Sequence, residues 1–92
     1  MIASFRCHKT ESLFAGVCPN FFRSFRTLAE RKLQMLDSAT KVQDLSRPPG
    51  NQLEKLRGDR SESWSIRINN QWRICFGWRN GEALNVEIVD YH

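Results

Sequence analysis

Apolar and polar residues alternate through the last third of the chain, from Trp64 to His92, and this alternation predicts strands with one buried face. The residues expected on the buried face are Trp64, Ile66 and Ile68 in a first strand, Trp72, Ile74, Phe76 and Trp78 in a second, and Leu84, Val86 and Ile88 in a third. The opposite face of the same strands carries arginines. We therefore expect a sheet with one face packed on a core and one basic face.

A second apolar pattern, with the spacing of an α-helix, lies in residues 20–39. Its stripe consists of Phe22, Phe25, Leu28, Ala29, Leu33, Leu36 and Ala39. Asn20 suits the N-cap position, so the pattern predicts one long helix that packs on the apolar face of the sheet. Other positions of this helix carry basic residues, which fit a solvated face, a groove for RNA or a docking surface for a protein. They are Arg23, Arg26, Arg31 and Lys32.

Shorter elements flank these two. Residues 2–6 are predicted as a strand, residues 7–14 as a brief helix, and residues 41–45 as one more helical turn. The prolines and glycine of residues 46–51 exclude a regular helix or a central strand there, so this stretch is predicted as a loop. Residues 52–56 are then predicted as an edge strand.

The register of the last hairpin follows from parity. For the apolar sets of two antiparallel strands to share a face, directly paired residues must have numbers with an even sum. This rule excludes a two-residue turn at Asn80-Gly81 and favours a three-residue loop at residues 79–81. The resulting pairs are Phe76 with Leu84, Ile74 with Val86, and Arg73 with Glu87.

The same rule at the loop of residues 69–71 pairs Ile66 with Ile74 and Arg67 with Arg73. The polar face then carries the row Arg67, Arg73 and Glu87, with Cys75 beside it and Tyr91 further along. Like charges directly opposite each other destabilise a sheet by about 0.2–1 kcal/mol, so the two arginines need Glu87 or an anionic ligand. Whether Arg73 simply pairs with Glu87, with Arg67 solvated, stays open.

Length and charge narrow the class of protein. The chain has 92 residues, which predicts a single domain over residues 1–92. A formal net charge of +4 favours polyanionic partners without identifying one. The three cysteines lack the spacing of a zinc site or of a disulfide framework, and no segment has the pattern of a signal peptide or a membrane span. We expect a cytoplasmic protein with free thiols, no metal and no cofactor.

The chain ends in Asp90-Tyr91-His92, residues suited to cutting RNA. RNA supplies its own nucleophile, the 2′-hydroxyl, so a metal-free ribonuclease needs a base, cations for the phosphate and an acid for the leaving oxygen. His92 suits the acid and Arg73 can bind phosphate bidentately. Tyr91 can donate a proton or stack on a base, and Asp90 can orient His92 or accept a proton. The base is unassigned.

Strand parity sets a condition on this group. Alternation along the strand places Asp90 on the same face as the core residues and Tyr91 on the opposite face. The three terminal residues therefore share one site only if the last strand bends, bulges or ends near Val89. With a regular strand to the end, Tyr91 and Arg73 remain candidates and Asp90 is dropped.

Several segments in this order resemble the HigB family of toxins from bacterial toxin-antitoxin pairs, within the wider RelE-like group, and look especially similar to the GraT type. They are Ala-Glu-Arg-Lys-Leu at residues 29–33, Pro-Pro-Gly-Asn at 48–51, Trp-Ser-Ile-Arg-Ile-Asn at 64–69, Gln-Trp-Arg-Ile-Cys-Phe at 71–76, and Val-Glu-Ile-Val-Asp-Tyr-His at 86–92. The resemblance implies an α+β, microbial-ribonuclease-type fold with N-terminal helices on an antiparallel sheet. It also implies cleavage of translated mRNA in the ribosomal A site.

The family pattern also implies roles for particular residues. Catalysis maps to Asp90, Tyr91, His92, Arg73 and Arg57. Some members have lysine at Arg57 and histidine at Glu54; an arginine is effectively always protonated and is a poor proton shuttle, and Glu54 removes one imidazole from the site. The residues expected to bind RNA are Lys55, Arg57, Arg60 and Arg67.

Partners and alternatives complete the interpretation. The expected partners are mRNA on the ribosome, with contacts to ribosomal RNA, and a cognate helix-turn-helix antitoxin whose complex with the toxin binds operator DNA; no membrane is expected. One alternative is a ParE-like toxin of the same fold that inhibits DNA gyrase. Another is a non-catalytic module that binds RNA, the ribosome or a protein.

Overall fold

The computed structural model describes residues 1–56 and 63–90, and within them four strands form one antiparallel sheet in the order β1-β2-β3-β4. The strands are β1 (Glu54–Lys55), β2 (Ser63–Arg67), β3 (Trp72–Arg79) and β4 (Glu82–Asp90). The predicted edge strand is thus present, shortened to β1. The three long predicted strands are confirmed.

The helical elements precede the sheet. Helix α1 (His8–Phe14) is followed by a 3₁₀ helix (Asn20–Phe25), helix α2 (Arg26–Ser38), and two further 3₁₀ segments (Val42–Ser46 and Pro49–Asn51). Within the described residues, no helix combines the length and the apolar character that a bilayer span needs.

The predicted long helix is divided in two. Phe25, with φ −128° and ψ 24°, leaves helical geometry between the 3₁₀ helix and α2. Pro19, not Asn20, occupies the N-cap position, and the Asn20 side chain accepts a hydrogen bond from Nη2 of Arg23 at 2.9 Å. Asn20 as N-cap was therefore a wrong prediction, because its side chain bonds to a neighbouring arginine and not to a helical N–H.

The apolar stripe nevertheless packs as predicted. Phe22, Phe25, Ala29, Leu33, Leu36 and Ala39 are buried, and Leu28 is partly buried against them. They join Ile66, Ile74 and Val86 of the sheet in one core. The exception to the pattern is Lys32, which was grouped with the outer basic positions but is buried.

The β2–β3 hairpin has the predicted register. Ile66 pairs with Ile74, and Arg67 pairs with Arg73. Oδ1 of Asn69 accepts hydrogen bonds from the backbone N–H groups of Gln71 and Trp72, each at 2.8 Å. These bonds close the loop and fix the pairing.

The β3–β4 hairpin departs from the prediction at its turn. Arg79 pairs with Glu82, so the turn has two residues, Asn80 and Gly81. Both have positive φ, 53° and 78°, as a type I′ turn requires. The local preference of Asn-Gly for this turn therefore overrides the parity rule at this end of the hairpin.

Beyond a β-bulge, the paired residues again have numbers with an even sum. The register shifts between Gly77, which pairs with Leu84, and Cys75, which pairs with Glu87. One residue of β3 therefore lies opposite two residues of β4, and one of these two, Asn85, has a φ of 53°. The pairs Ile74 with Ile88 and Arg73 with Val89 follow.

Two predictions about the β3–β4 hairpin are wrong. Glu87 lies opposite Cys75, so the predicted pairing of Arg73 with Glu87 is wrong. Ala83, which pairs with Trp78, is fully buried in place of Leu84, which is only partly buried. The wrong partner of Arg73 comes from the two-residue turn and the bulge together, and the burial of Ala83 comes from the two-residue turn, which places it opposite Trp78.

Residues 2–6 do not form the predicted strand. Ile2 and Phe5 make isolated parallel bridges to Ala83 and Val86. Between them, the backbone N–H of Asn85 donates to Oγ of Ser4 at 2.9 Å. The N-terminal segment thus runs along the outer edge of β4 and holds the bulge.

Candidate active site

Arg73 lies at the centre of the polar face of the sheet. Its side chain is nearly buried, with the residue 5% exposed. Nε donates a hydrogen bond to Oγ of Ser65 at 2.9 Å, and Nη2 donates to the carbonyl oxygens of Gln52 at 2.6 Å and of Ser65 at 3.3 Å. These bonds fix the plane of the guanidinium, which is the geometry that phosphate binding needs.

Glu54 is the acidic neighbour of Arg73. Its Oε1 lies 3.9 Å from Nη1 of Arg73, and about half of its side chain is exposed. Because Glu54 pairs with Ser65 across β1 and β2, its side chain reaches the same face of the sheet as Arg73. The carboxylate beside Arg73 is therefore Glu54, whereas the predicted Glu87 lies 3.5 Å from Nη1 of Arg6.

Cys75 occupies the position beside Arg73 on this face. Burial raises the pKa of the Cys75 thiol, and the nearby Glu87 carboxylate raises it further, while Arg73 acts in the opposite direction. The thiol is therefore held in its protonated form near neutral pH.

Arg67 turns away from Arg73, although the two residues are directly paired. Nη2 of Arg67 donates to Oδ1 of Asn70 within the β2–β3 hairpin. The guanidinium of Arg73 is directed to Ser65 and Gln52, towards β1. The two arginines thus bond to different partners, and Glu87, one of the two predicted counter-charges, lies against Arg6.

Lys55 lies apart from this group. It pairs with Trp64, and its Nζ is 5.7 Å from the centroid of the Trp64 ring. Successive residues of a strand point to opposite faces, so Lys55 and Glu54 cannot face the same ligand side by side. The structure does not bring Lys55 together with Arg73.

Asp90 also lies apart from Arg73. Strand β4 continues to Asp90, which pairs with Trp72, and Oδ2 of Asp90 accepts a hydrogen bond from Nε2 of Gln71 at 3.1 Å. Val89 pairs with Arg73, so Asp90 projects to the other face. The strand is regular up to Asp90, and residues 91 and 92 lie outside the described part of the chain, so the role of Asp90 stays a prediction.

Four predicted site residues lie outside the described part of the chain. They are Arg57, Arg60, Tyr91 and His92. The described residues on either side of the first two are Leu56 and Ser63, whose backbone N–H and C=O are hydrogen-bonded at 2.8 Å.

Sequence reasoning missed the groups that hold Arg73. Ser65 had a usable signal, because it is a polar residue two positions before Arg67 on the same face. Gln52 had none, because it contributes its backbone carbonyl from a left-handed conformation, φ 43°.

Two of the outer basic residues of the helical layer, Arg23 and Arg26, help to line a separate cleft. It has a volume of 340 Å³ and is lined in part by Arg23, Arg26 and Asn69. Nε of Arg26 donates to Glu30 at 3.2 Å and its Nη2 donates to the carbonyl of Gly16 at 3.2 Å. These local bonds fit the solvated-face interpretation of the helix.

Comparison with known proteins identifies relatives by sequence. Residues 16–92 match the model of the HigB-like toxin family, described as the RelE-like toxin of the type II toxin-antitoxin system HigB. Toxin HigB-1 of Vibrio cholerae is 49% identical over 55 residues, 60% of this chain and 58% of that protein. Endoribonuclease HigB of Proteus vulgaris is 41% identical over 61 residues, 66% of this chain and 65% of that protein. The chain thus spans less than two thirds of the length of these relatives.

Solved structures of YoeB from Staphylococcus aureus share the fold. The YoeB dimer matches with a TM-score of 0.55 at 15% identity, covering 99% of this chain and 97% of that chain. The YoeB-YefM complex matches with a TM-score of 0.56 at 14% identity, covering 100% and 98%. The predicted α+β fold of RelE-like type, with helices on an antiparallel sheet, is confirmed.

Proposed function

Because the chain belongs to the HigB-like family of RelE-like toxins, we propose that it is a metal-independent endoribonuclease toxin that cleaves translated mRNA in the ribosomal A site. The observation that carries this proposal is the guanidinium of Arg73, fixed by Ser65 and Gln52 beside the carboxylate of Glu54. A relative from Proteus vulgaris that bears the name Endoribonuclease HigB supports the same activity. Action on the ribosome places the protein in the cytoplasm.

In this mechanism Arg73 stabilises the phosphate. Its Nη1 group meets the negative charge that develops on the phosphate oxygens when the 2′-oxygen attacks. The bonds from Nε and Nη2 hold the guanidinium in place before the substrate arrives, so little reorganisation is needed. Arg57 supplies a second cation to the same phosphate.

Glu54 fills the role of general base, which the sequence left unassigned. Its carboxylate is on the same face as Arg73, about half exposed, and able to accept the proton of the 2′-hydroxyl. His92 donates a proton to the 5′-oxygen that leaves, and Tyr91 stacks on a base or donates a proton. Arg67 and Arg60 bind the RNA on either side of the cleaved bond.

A cognate antitoxin neutralises this activity. YoeB, which shares the fold, has been solved in complex with YefM, a toxin-antitoxin pair. We assign this chain a partner with a DNA-binding helix-turn-helix, and the complex binds operator DNA. Co-expression should then restore growth, and the two chains should purify together.

The activity is tested with purified ribosomes that carry a defined mRNA in the A site. Wild-type protein should cleave the bound mRNA within a codon and leave the same RNA intact without ribosomes. Prior dialysis of the toxin against a chelator of transition metals should not change the rate. Arg73→Ala should lower the rate by about 100-fold or more, the usual loss for one group that stabilises transition-state charge. The matched control is Arg79→Ala, an exposed arginine at the far end of the same strand.

Two results would overturn the proposal. One is equal cleavage by wild type and Arg73→Ala. The other is an absence of cleavage together with loss of DNA supercoiling by gyrase, which would identify the ParE-like alternative.

A further inference from the structure

A buried polar contact joins Lys32 of α2 to Asn51. Lys32 is 8% exposed, and its Nζ donates a hydrogen bond to Oδ1 of Asn51. Burial lowers the pKa of Lys32, and the charges of Arg67 and Arg31 lower it further. An amine in such surroundings is tolerated only where it has a hydrogen-bond partner, and Asn51 is that partner.

The side chain of Asn51 is bonded at both ends. It is fully buried, and its Nδ2 donates to the carbonyl of Leu45 at 3.0 Å and lies 3.1 Å from Sδ of Met35. Its backbone N–H donates to the carbonyl of Pro48 at 3.0 Å. Asn51 therefore ties α2 and two 3₁₀ segments together at one point.

The residue that follows Asn51 bonds to the candidate active site. Gln52 has φ 43° and ψ 57°, a left-handed conformation that a residue with a Cβ adopts only where its surroundings hold it. Its side chain is exposed, whereas its carbonyl accepts the hydrogen bond from Nη2 of Arg73. The position of this carbonyl thus depends on how firmly Asn51 is held.

We propose that Asn51, fixed by Lys32, is a positioning residue for Arg73: it places the carbonyl of Gln52 that orients the guanidinium. The inference rests on the proposed function, since the orientation of Arg73 affects a rate only where Arg73 meets a phosphate. It gives the Pro-Pro-Gly-Asn segment at residues 48–51 a role in the site through the backbone of Gln52.

The first test needs no RNA. Hydrogen exchange at Nε of Arg73, measured by NMR on arginine-labelled protein, reports how firmly the guanidinium is held. Asn51→Ala should raise the exchange rate at Nε by about tenfold or more through local opening. Leu13→Val, which perturbs the core in α1, should leave it unchanged. Unchanged exchange in Asn51→Ala would overturn the positioning role.

A second variant covers the case in which Asn51→Ala fails to fold. The double variant Lys32→Met with Asn51→Leu replaces both polar partners by apolar side chains of similar size, which is much less costly than leaving one of them unpaired. It also removes the bond from Asn51 to the carbonyl of Leu45. The same rise in exchange at Arg73 is expected, and wild-type exchange in this folded variant would equally overturn the inference.

The second test is a double-mutant cycle on single-turnover cleavage of ribosome-bound mRNA. Asn51→Ala should slow cleavage about tenfold in the presence of Arg73 and less than about twofold in an Arg73→Lys background, because a residue that acts through Arg73 has no further effect once Arg73 is changed. Equal slowing in both backgrounds would show a merely structural role. Wild-type cleavage by Arg73→Lys itself would instead overturn the role of Arg73 under the proposed function, whatever the exchange data show.

Discussion

Glu54 and Arg73 meet on the polar face of the sheet, with Oε1 of Glu54 3.9 Å from Nη1 of Arg73, although their strands are not neighbours. Ser65 of the intervening strand β2 pairs with Glu54 and accepts the hydrogen bond from Nε of Arg73. The arrangement places a carboxylate next to a fixed cation. When Arg73 binds the phosphate of an RNA, the 2′-hydroxyl of the ribose that carries this phosphate on its 3′-oxygen would lie close to Glu54.

Glu54→Gln should abolish most of the cleavage activity while leaving the fold intact. The amide has nearly the same shape as the carboxylate but cannot accept the proton of the 2′-hydroxyl, so the single-turnover rate should fall by about 100-fold or more. The measurement is cleavage of ribosome-bound mRNA at several pH values. Glu82→Gln is the matched control, because Glu82 lies opposite Arg79 on the same sheet. A Glu54→Gln rate within twofold of wild type would remove Glu54 from the mechanism.

Ser65→Ala should weaken both stability and activity. Ser65 is fully buried, and without its hydroxyl the Nε of Arg73 loses a partner in a site that water reaches poorly. We expect the free energy of unfolding to fall by about 1–3 kcal/mol, the usual cost of a buried polar group left unpaired. Urea denaturation measures the change. Ser63→Ala, on the same strand and face, should cost less than about 0.5 kcal/mol, and equal losses in the two variants would contradict the role of Ser65.

Periodicity predicted the helical core and one hairpin correctly, and the reason is local. The stripe from Phe22 to Ala39 needs only the 3.6-residue repeat, which survives the change from 3₁₀ to α geometry at Phe25. The pairing of Arg67 with Arg73 needs only a loop of odd length. Each of these two predictions uses only residues that are close together in the sequence.

The groups around Arg73 were not predictable in the same way. The bulge at Asn85 is held by Ser4, which is 81 positions away in the sequence, so no local pattern marks it. Because the prediction lacked this bulge, it placed Glu87 opposite Arg73, whereas Glu87 lies opposite Cys75. Besides Ser65, the partners of Arg73 include the backbone carbonyl of Gln52 and the side chain of Glu54 from an edge strand two residues long.

Gly81→Ala tests the two-residue turn. Gly81 has φ 78°, and a Cβ at this position would lie 3.4 Å from the carbonyl oxygen of Thr40. Alanine in the left-handed region costs about 1–2 kcal/mol, whereas the contact at 3.4 Å is within the ordinary van der Waals range. Gly50→Ala is the matched control, because nothing lies within 4 Å of its Cβ position and its φ is outside the left-handed region. Thermal unfolding should show a clear loss for Gly81→Ala alone; equal melting temperatures for the two variants would contradict the type I′ turn.

Asp44 should make the stability of the protein depend on pH in the acid range. Hydrogen bonds from the backbone N–H groups of Lys41 and Thr40 lower the pKa of Asp44 below its ordinary value of 3.8. Because the folded-state pKa is the lower one, the stabilisation is fully present above the unfolded-state pKa and is lost as the pH falls through the folded-state pKa. Asp44→Ala should therefore melt at a lower temperature than wild type at pH 7, and the difference should shrink as the pH falls below 3.8. Asp44→Asn keeps an acceptor oxygen without the charge, so its melting temperature should lie between the two. A difference between wild type and Asp44→Ala that persists unchanged in acid would show that the carboxylate charge contributes nothing.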